Sequence, residues 1–194
     1  MIYSVSGRLA AKGATFVVVE AGGVGFKIFT PRRLLGGLRA PSDSIKLFCC
    51  LHMREDALEL YGFAETEELD FFEMLISVGG VGPKSALAIL DVAELKNLTA
   101  AIKEGRADLL TRASGIGRKP AERIILELRG RVQAPHAEGA VRAMESDADL
   151  VETLTGLGYR RDQAKQALSR VDEKLTGLEE RFKAALKLLG GKGK

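Results

Sequence analysis

The sequence predicts a multidomain α+β chain: a small closed β-barrel followed by two helical domains joined by a linker. Three observations carry this. Short β-branched and aromatic runs fill residues 1–63, the hydrophobic period becomes helical at residue 64, and periodicity lapses over 132–147 before a helical pattern returns at Ala148.

The barrel rests on five runs, Ile2 to Leu9, Thr15 to Glu20, Gly25 to Thr30, Ile45 to His52 and Leu58 to Phe63. Turn formers separate them: Ala21-Gly22-Gly23, Gly36-Gly37 and Pro41-Ser42-Asp43. Five strands in about sixty residues is the size of an OB-fold barrel. Cys49 and Cys50, the only two cysteines, are adjacent in the fourth run and point to opposite faces, which suits neither a metal clip nor a disulfide. With no charged start followed by an apolar core at the N-terminus, the expectation is a reduced, cytoplasmic protein.

From Ala64 to Arg131 the apolar residues recur at helical spacing, with Leu69, Phe72, Leu75 and Ile76 on one face and Leu95, Leu98 and Ile102 on another. The acidic cluster Glu65, Glu67, Glu68 and Asp70 reads as a solvated helix start near the positive dipole end. Inside this region lies a repeat: GGVGPKSALAIL at 79–90 and SGIGRKPAERII at 114–125. Gly80 aligns with Gly115, Val81 with Ile116, Gly82 with Gly117, Lys84 with Lys119 and Ala86 with Ala121. Each copy reads as helix, Gly-aliphatic-Gly turn, helix. The glycines let the backbone turn and approach a ligand, the aliphatic residue plugs the turn into the core, and the next helix presents unbonded N–H groups. Those amides, with Lys84, Ser85, Arg118 and Lys119 beside them, form an anion site suited to phosphate.

Two nucleotide motifs are excluded. A P-loop needs a Gly-Lys pair, yet Lys84 follows Pro83; a dinucleotide fold needs a strand where a helix precedes Gly79. A plain turn between packed helices remains the alternative for one copy, and is disfavoured by two copies in register, each with its lysine. Net charge is only +3, so nucleic-acid contact must come from local placement of charge. Residues 64–131 carry ten basic and eleven acidic side chains, whereas 150–194 carry ten and six.

The repeat resembles the helix-hairpin-helix motif, whose tandem copies bind DNA without regard to sequence; Arg123, one turn beyond the second hairpin, is a further phosphate contact on this reading. Pro120 departs from the family's usual non-proline residue and removes one amide donor, which predicts a weaker second site. Together with GGVGF (22–26), REDALELYGF (54–63) and LTGLGY (154–159), the hairpins make essentially the whole chain similar to the RuvA family of Holliday junction branch-migration subunits. The resemblance implies domains at 1–63 (OB-fold barrel), 64–131 (tandem helix-hairpin-helix), 132–147 (flexible linker) and 148–194 (a three-helix, UBA-like bundle).

It further implies a non-enzymatic homotetramer, with one or two tetramers on the junction left open, that holds Holliday junction DNA in recombination and repair. The RuvB ATPase motor would dock on the C-terminal bundle, and the RuvC resolvase would work alongside. Glu55 and Asp56 have three readings: solvated loop carboxylates, metal ligands of a nuclease, or, by the resemblance, an acidic pin that repels phosphates at the tetramer's centre. In the bundle, Leu154, Leu157 and Tyr159 read as core, and Leu168 and Leu186 as exposed anchors for the motor.

No catalytic constellation is legible: His52 and His136 stand alone, Ser85 lacks a base, and no metal or cofactor is expected. The competing readings are a helix-hairpin-helix glycosylase or nuclease, which would want a well-placed Asp after one hairpin, and a protein scaffold, which would not need both lysines.

Overall fold

The computed structural model describes residues 2–38, 42–133, 137–172, 175 and 178–190. It divides into two compact units, Met1–Ala134 and Pro135–Lys194.

The first unit begins with five strands, β1 (Ser4–Lys12), β2 (Phe16–Ala21), β3 (Val24–Phe29), β4 (Ser42–Met53) and β5 (Leu58–Phe63). They close into a barrel in the order β1-β2-β3-β5-β4, with β1 also pairing with β4. The β3–β5 pair is parallel and the rest antiparallel, the order of a five-stranded Greek-key barrel. Alternation along each strand sends Val5, Leu9, Val17, Val19, Ile28, Leu47, Cys49 and Leu60 inward to one apolar core. Gly62 also faces that core: a Cβ there would lie 2.5 Å from Ile28 Cγ2, so only glycine fits. The two cysteines separate as expected, Cys49 buried and Cys50 half-buried.

Between β3 and β4 stands α1 (Arg32–Gly37), where the sequence suggests only a glycine turn. Six residues ending in Gly36-Gly37 have little helix propensity, and tertiary contacts hold them at both ends. Asp91 Oδ1 accepts from Arg32 N at 2.7 Å, capping the start. Lys12 Nζ donates to Leu35 O at 3.0 Å and Leu38 O at 2.8 Å, placing a cation at the negative end of the dipole.

Five helices complete this unit: α2 (Thr66–Ile76), α3 (Pro83–Leu90), α4 (Leu95–Lys103), α5 (Ala107–Leu110) and α6 (Arg118–Leu128). Their inner faces bury Leu69, Phe72, Leu75, Ile89, Leu98 and Ile124. Barrel and helices meet in an aromatic joint, with Phe72 stacked on Tyr61 at 5.2 Å and tilted against Phe63 at 4.9 Å between centroids. That joint puts the 63/64 boundary inside a single compact unit. Glu68 departs from the solvated helix start: it pairs with Arg33 of α1, and burial raises its carboxyl above the usual range although Arg33 opposes the shift. Asp91 is likewise raised by burial, opposed by its bond from the Arg32 amide.

The second unit holds α7 (Ala137–Gly156), α8 (Arg161–Leu168) and α9 (Leu178–Gly190). The segment 132–147, expected as linker, is therefore helical from Ala137 onward. Ala, Glu, Arg and Met are strong helix formers, and they outweigh the single Gly139 that suggests a break. Leu150, Val151, Leu154, Ala164, Ala167, Leu168, Val171 and Ala185 form the core. Arg181 of α9 donates Nη2 to Asp147 Oδ1 at 2.6 Å and Nη1 to Leu175 O at 3.2 Å. Among the described residues, no helix is long and apolar enough to cross a membrane.

Candidate nucleic-acid interface

The two hairpins are built alike to within a few degrees. Gly80 and Gly115 sit at φ +86° and +81°, the left-handed region that bulkier residues avoid. Val81 N donates to Val78 O at 3.0 Å, and Ile116 N to Ala113 O at 3.1 Å, so each turn closes on itself. Val81 and Ile116 point into the core and are almost fully buried. Gly82 and Gly117 then cap the following helices at φ −86°, ψ 169° and φ −82°, ψ 177°. The first ladder bonds run from Ala86 N to Gly82 O and from Ala121 N to Gly117 O, and both alanines are fully buried beneath the turn.

The second glycine of each turn is not demanded by the fold. Its φ and ψ are open to any residue. A Cβ at Gly82 would meet no atom within 4 Å, and one at Gly117 only Pro120 Cδ at 4.0 Å. What glycine provides there is a bare backbone facing outward.

Before the first ladder bond, the amides of Gly82, Lys84 and Ser85 have no intrahelical partner, and neither do those of Gly117, Arg118 and Lys119. Pro83 at the first position of α3 and Pro120 at the third of α6 each remove one donor. The deficit expected of the second hairpin from Pro120 is thus matched by Pro83 in the first, and the amide counts are equal.

Lys84 and Lys119 are both exposed. Arg118 is exposed too but spends its Nε on Glu122 Oε1 at 2.8 Å, which raises its guanidinium's affinity for its proton. Arg123 reaches across from α6: its Nη1 donates to Gly79 O at 2.8 Å. It therefore ties the two hairpins together and stands over the first turn, with N–H groups to spare.

Glu55 and Asp56 lie at the exposed apex of the β4–β5 hairpin, closed by Arg54 N donating to Ala57 O at 2.8 Å. Among the described residues, no group of three or more His, Cys, Asp and Glu is placed to hold a metal ion. One acid of this hairpin escaped the sequence reading. Glu59 Oε2 accepts from Arg54 Nη2 at 2.5 Å and from the Tyr61 hydroxyl at 2.8 Å. The Tyr61 hydroxyl foremost, then Arg54, hold Glu59 below the usual carboxylate range against partial desolvation, and the charge of Lys84 adds to the effect. Burial, then the bond to Glu59, pushes the Tyr61 phenol upward. The readable signal was the i, i+2 spacing of Glu59 and Tyr61 on β5, which puts both on one face.

In the second unit Leu168, expected as an exposed anchor, is 3% exposed and belongs to the core. It follows Ala164 by one helical turn on the inner face of α8. Leu186 is half-buried against the same core. Leu157, expected inside, is 60% exposed in the turn after α7, and Leu178 and Leu188 are also exposed.

Comparison with known proteins divides the chain in the same order. Residues 1–62 match the model of the RuvA N terminal domain, 72–130 the SAM-like helix-hairpin-helix tandem, and 147–190 the RuvA C-terminal domain. A relative from Dehalococcoides mccartyi is 43% identical over 197 residues, covering 99% of this chain and all of its own. One from Thermomicrobium roseum is 43% identical over 190 residues, covering 97% of this chain and 98% of its own, and one from Nocardia farcinica 39% identical over 199, covering 98% of each. All three bear the name Holliday junction branch migration complex subunit RuvA.

Proposed function

The chain belongs to the RuvA family of Holliday junction branch migration complex subunits, and from that premise we propose that its paired hairpins grip the phosphate backbone at the junction. As a member of that family it is a non-catalytic DNA-binding subunit.

One observation carries the reading: the outward glycine of each hairpin is left open by the fold, beside three amides without an intrahelical partner and an exposed lysine. Bare backbone, helix N-termini and a cation recruit an anion together. Two such sites linked by Arg123 suit successive phosphates along a strand. Contacts of that kind make binding salt-sensitive and indifferent to base sequence.

Four copies around a four-fold axis would bring the Glu55–Asp56 apices together at the centre, where their charge repels intact duplex and steers separated strands. At ~5 Å and an effective dielectric of ~20, two unit charges repel by about 3 kcal/mol before salt screening. The C-terminal unit docks the RuvB motor, with exposed Leu157 and Leu178 available as apolar contacts in place of buried Leu168. RuvC shares the same junction platform.

The test is gel-shift binding at moderate salt of a synthetic four-way junction against linear duplex of the same sequences, for the parent and for Lys84→Glu, Lys119→Glu. Junction preference lost in the double variant supports the grip. Equal binding of junction and duplex by the parent leaves only a general DNA-binding module, and no binding returns the repeat to a turn between helices.

A further inference from the structure

We propose that Glu59 is a positioning residue that ties Arg54 to the barrel side of its hairpin, so that the Glu55–Asp56 apex keeps more of its negative charge; this rests on the acidic-pin reading above.

Arg54 adjoins the two apex acids and sits at the neck of their hairpin, where its backbone closes the turn. A guanidinium there has two alternatives. It can fold over Glu55 and Asp56 and cancel half their charge, or reach a phosphate and draw DNA toward the centre. Glu59 competes with both by binding Nη2 at 2.5 Å.

The acceptor is itself anchored. Glu59 Oε2 also accepts from Tyr61, whose ring is buried, stacked on Phe72 at 5.2 Å and tilted against Phe29 at 5.6 Å. Exposure falls along the chain of contacts, from 47% for the Arg54 side chain to 17% for that of Glu59. The arginine is thus held from the barrel side, where it still feels the charge of Asp56 but is bonded to neither apex carboxylate. Counting Arg54, Glu55, Asp56 and Glu59, the hairpin carries a net charge of −2.

Charge arithmetic separates this role from simple packing. Glu59→Gln keeps a neutral acceptor for the Tyr61 hydroxyl but loses the ion pair that holds Arg54 and brings the hairpin to about −1, whereas Arg54→Gln, Glu59→Gln removes the released cation as well and returns it to about −2. One unit charge felt over ~8 Å at an intermediate effective dielectric of ~40 changes binding about fivefold.

The experiment measures junction-over-duplex preference by competition for the full chain, with thermal unfolding of every variant. 2-Aminopurine fluorescence at the junction centre serves as a second readout. Glu59→Gln is expected to lower the preference about fivefold and to quench the central probe, and the double variant to return both to within about twofold of the parent. A double variant as impaired as Glu59→Gln overturns the proposal in favour of a packing role. So does Glu59→Gln behaving as the parent while Glu55→Gln, Asp56→Gln loses its preference. If Glu55→Gln, Asp56→Gln keeps the parental preference, the pin reading itself falls and this proposal with it.

Discussion

Replacing Gly82 with alanine separates what the hairpin needs to fold from what it needs to bind. Gly82 has φ −86° and ψ 169°, and a Cβ there meets nothing within 4 Å. Alanine restricts the unfolded chain, a gain of about 0.4–1 kcal/mol, and is a poorer N-cap than glycine by an amount of similar size. The two effects offset, so Tm should stay within about 3 °C of the parent. The new methyl nevertheless stands on the open surface beside the amides of Lys84 and Ser85. A phosphate held off by it loses hydrogen bonds that contribute roughly 1.5–3 kcal/mol each when the acceptor is charged. Junction Kd should therefore rise about ten- to a hundredfold. Gly80→Ala does the reverse: at φ +86° it costs about 1–2 kcal/mol of folding, lowering Tm by about 3–8 °C, and affects binding only through the fold. Thermal unfolding and fluorescence anisotropy with a labelled four-way junction read the two effects separately. A Gly82→Ala protein that binds the junction as tightly as the parent, with Tm unchanged, refutes the claim that the bare backbone is the grip.

Three further outcomes are expected. Gly62→Ala pushes a methyl to 2.5 Å from Ile28 Cγ2 and should cost about 1–3 kcal/mol in urea unfolding; a cost near zero would show that the barrel interior yields there. Cys49 is pushed up to about 11 by desolvation and Cys50 is also raised by burial, so both stay protonated near neutrality. Modification of Cys49 at pH 8 should run about 100-fold slower in native protein than in urea and accelerate as pH climbs, with Cys50 also slowed; equal rates would contradict the burial. Glu59 is held low by Tyr61 and Arg54, so its stabilising contribution is complete above about pH 4.3 and is lost as pH falls through its lower folded value. Urea unfolding between pH 3 and 6 should therefore show a steeper acid loss for the parent than for Glu59→Gln, and superimposable profiles would contradict the arrangement.

The hairpins were legible because their constraints are local. A left-handed glycine, a buried aliphatic residue and a small alanine beneath the turn recur at fixed offsets, and the structure repeats them in both copies. The barrel strands were legible by alternation, with ends off by a few residues. What escaped depends on distant partners. The helix α1 forms from an unpromising Arg-Arg-Leu-Leu-Gly-Gly because Asp91 and Lys12 meet its ends. Glu68 reads as solvent-facing until Arg33 is brought against it. The Arg54–Glu59 pair exists only once Met53 is registered opposite Leu58 across the hairpin. In α8, eight residues with three apolar positions are too few for periodicity to assign Leu168 a face. The start of α7 was hidden because Gly and Pro in the preceding segment outweighed, in a reading by composition, the helix formers beside them.

The short helix α1 has a mechanical consequence. Its first amide is capped by Asp91 just past α3, carbonyls at and just past its end accept from Lys12 of β1, and its second arginine is paired with Glu68 of α2. Three elements from both halves of the first unit thus converge on six residues, a keystone rather than a hinge. A load applied to the hairpins is carried into the barrel without passing through a single covalent crossing at residue 64. The spacing between the two hairpin turns and the Glu55–Asp56 apex is then set within one compact unit by contacts as well as by the chain itself.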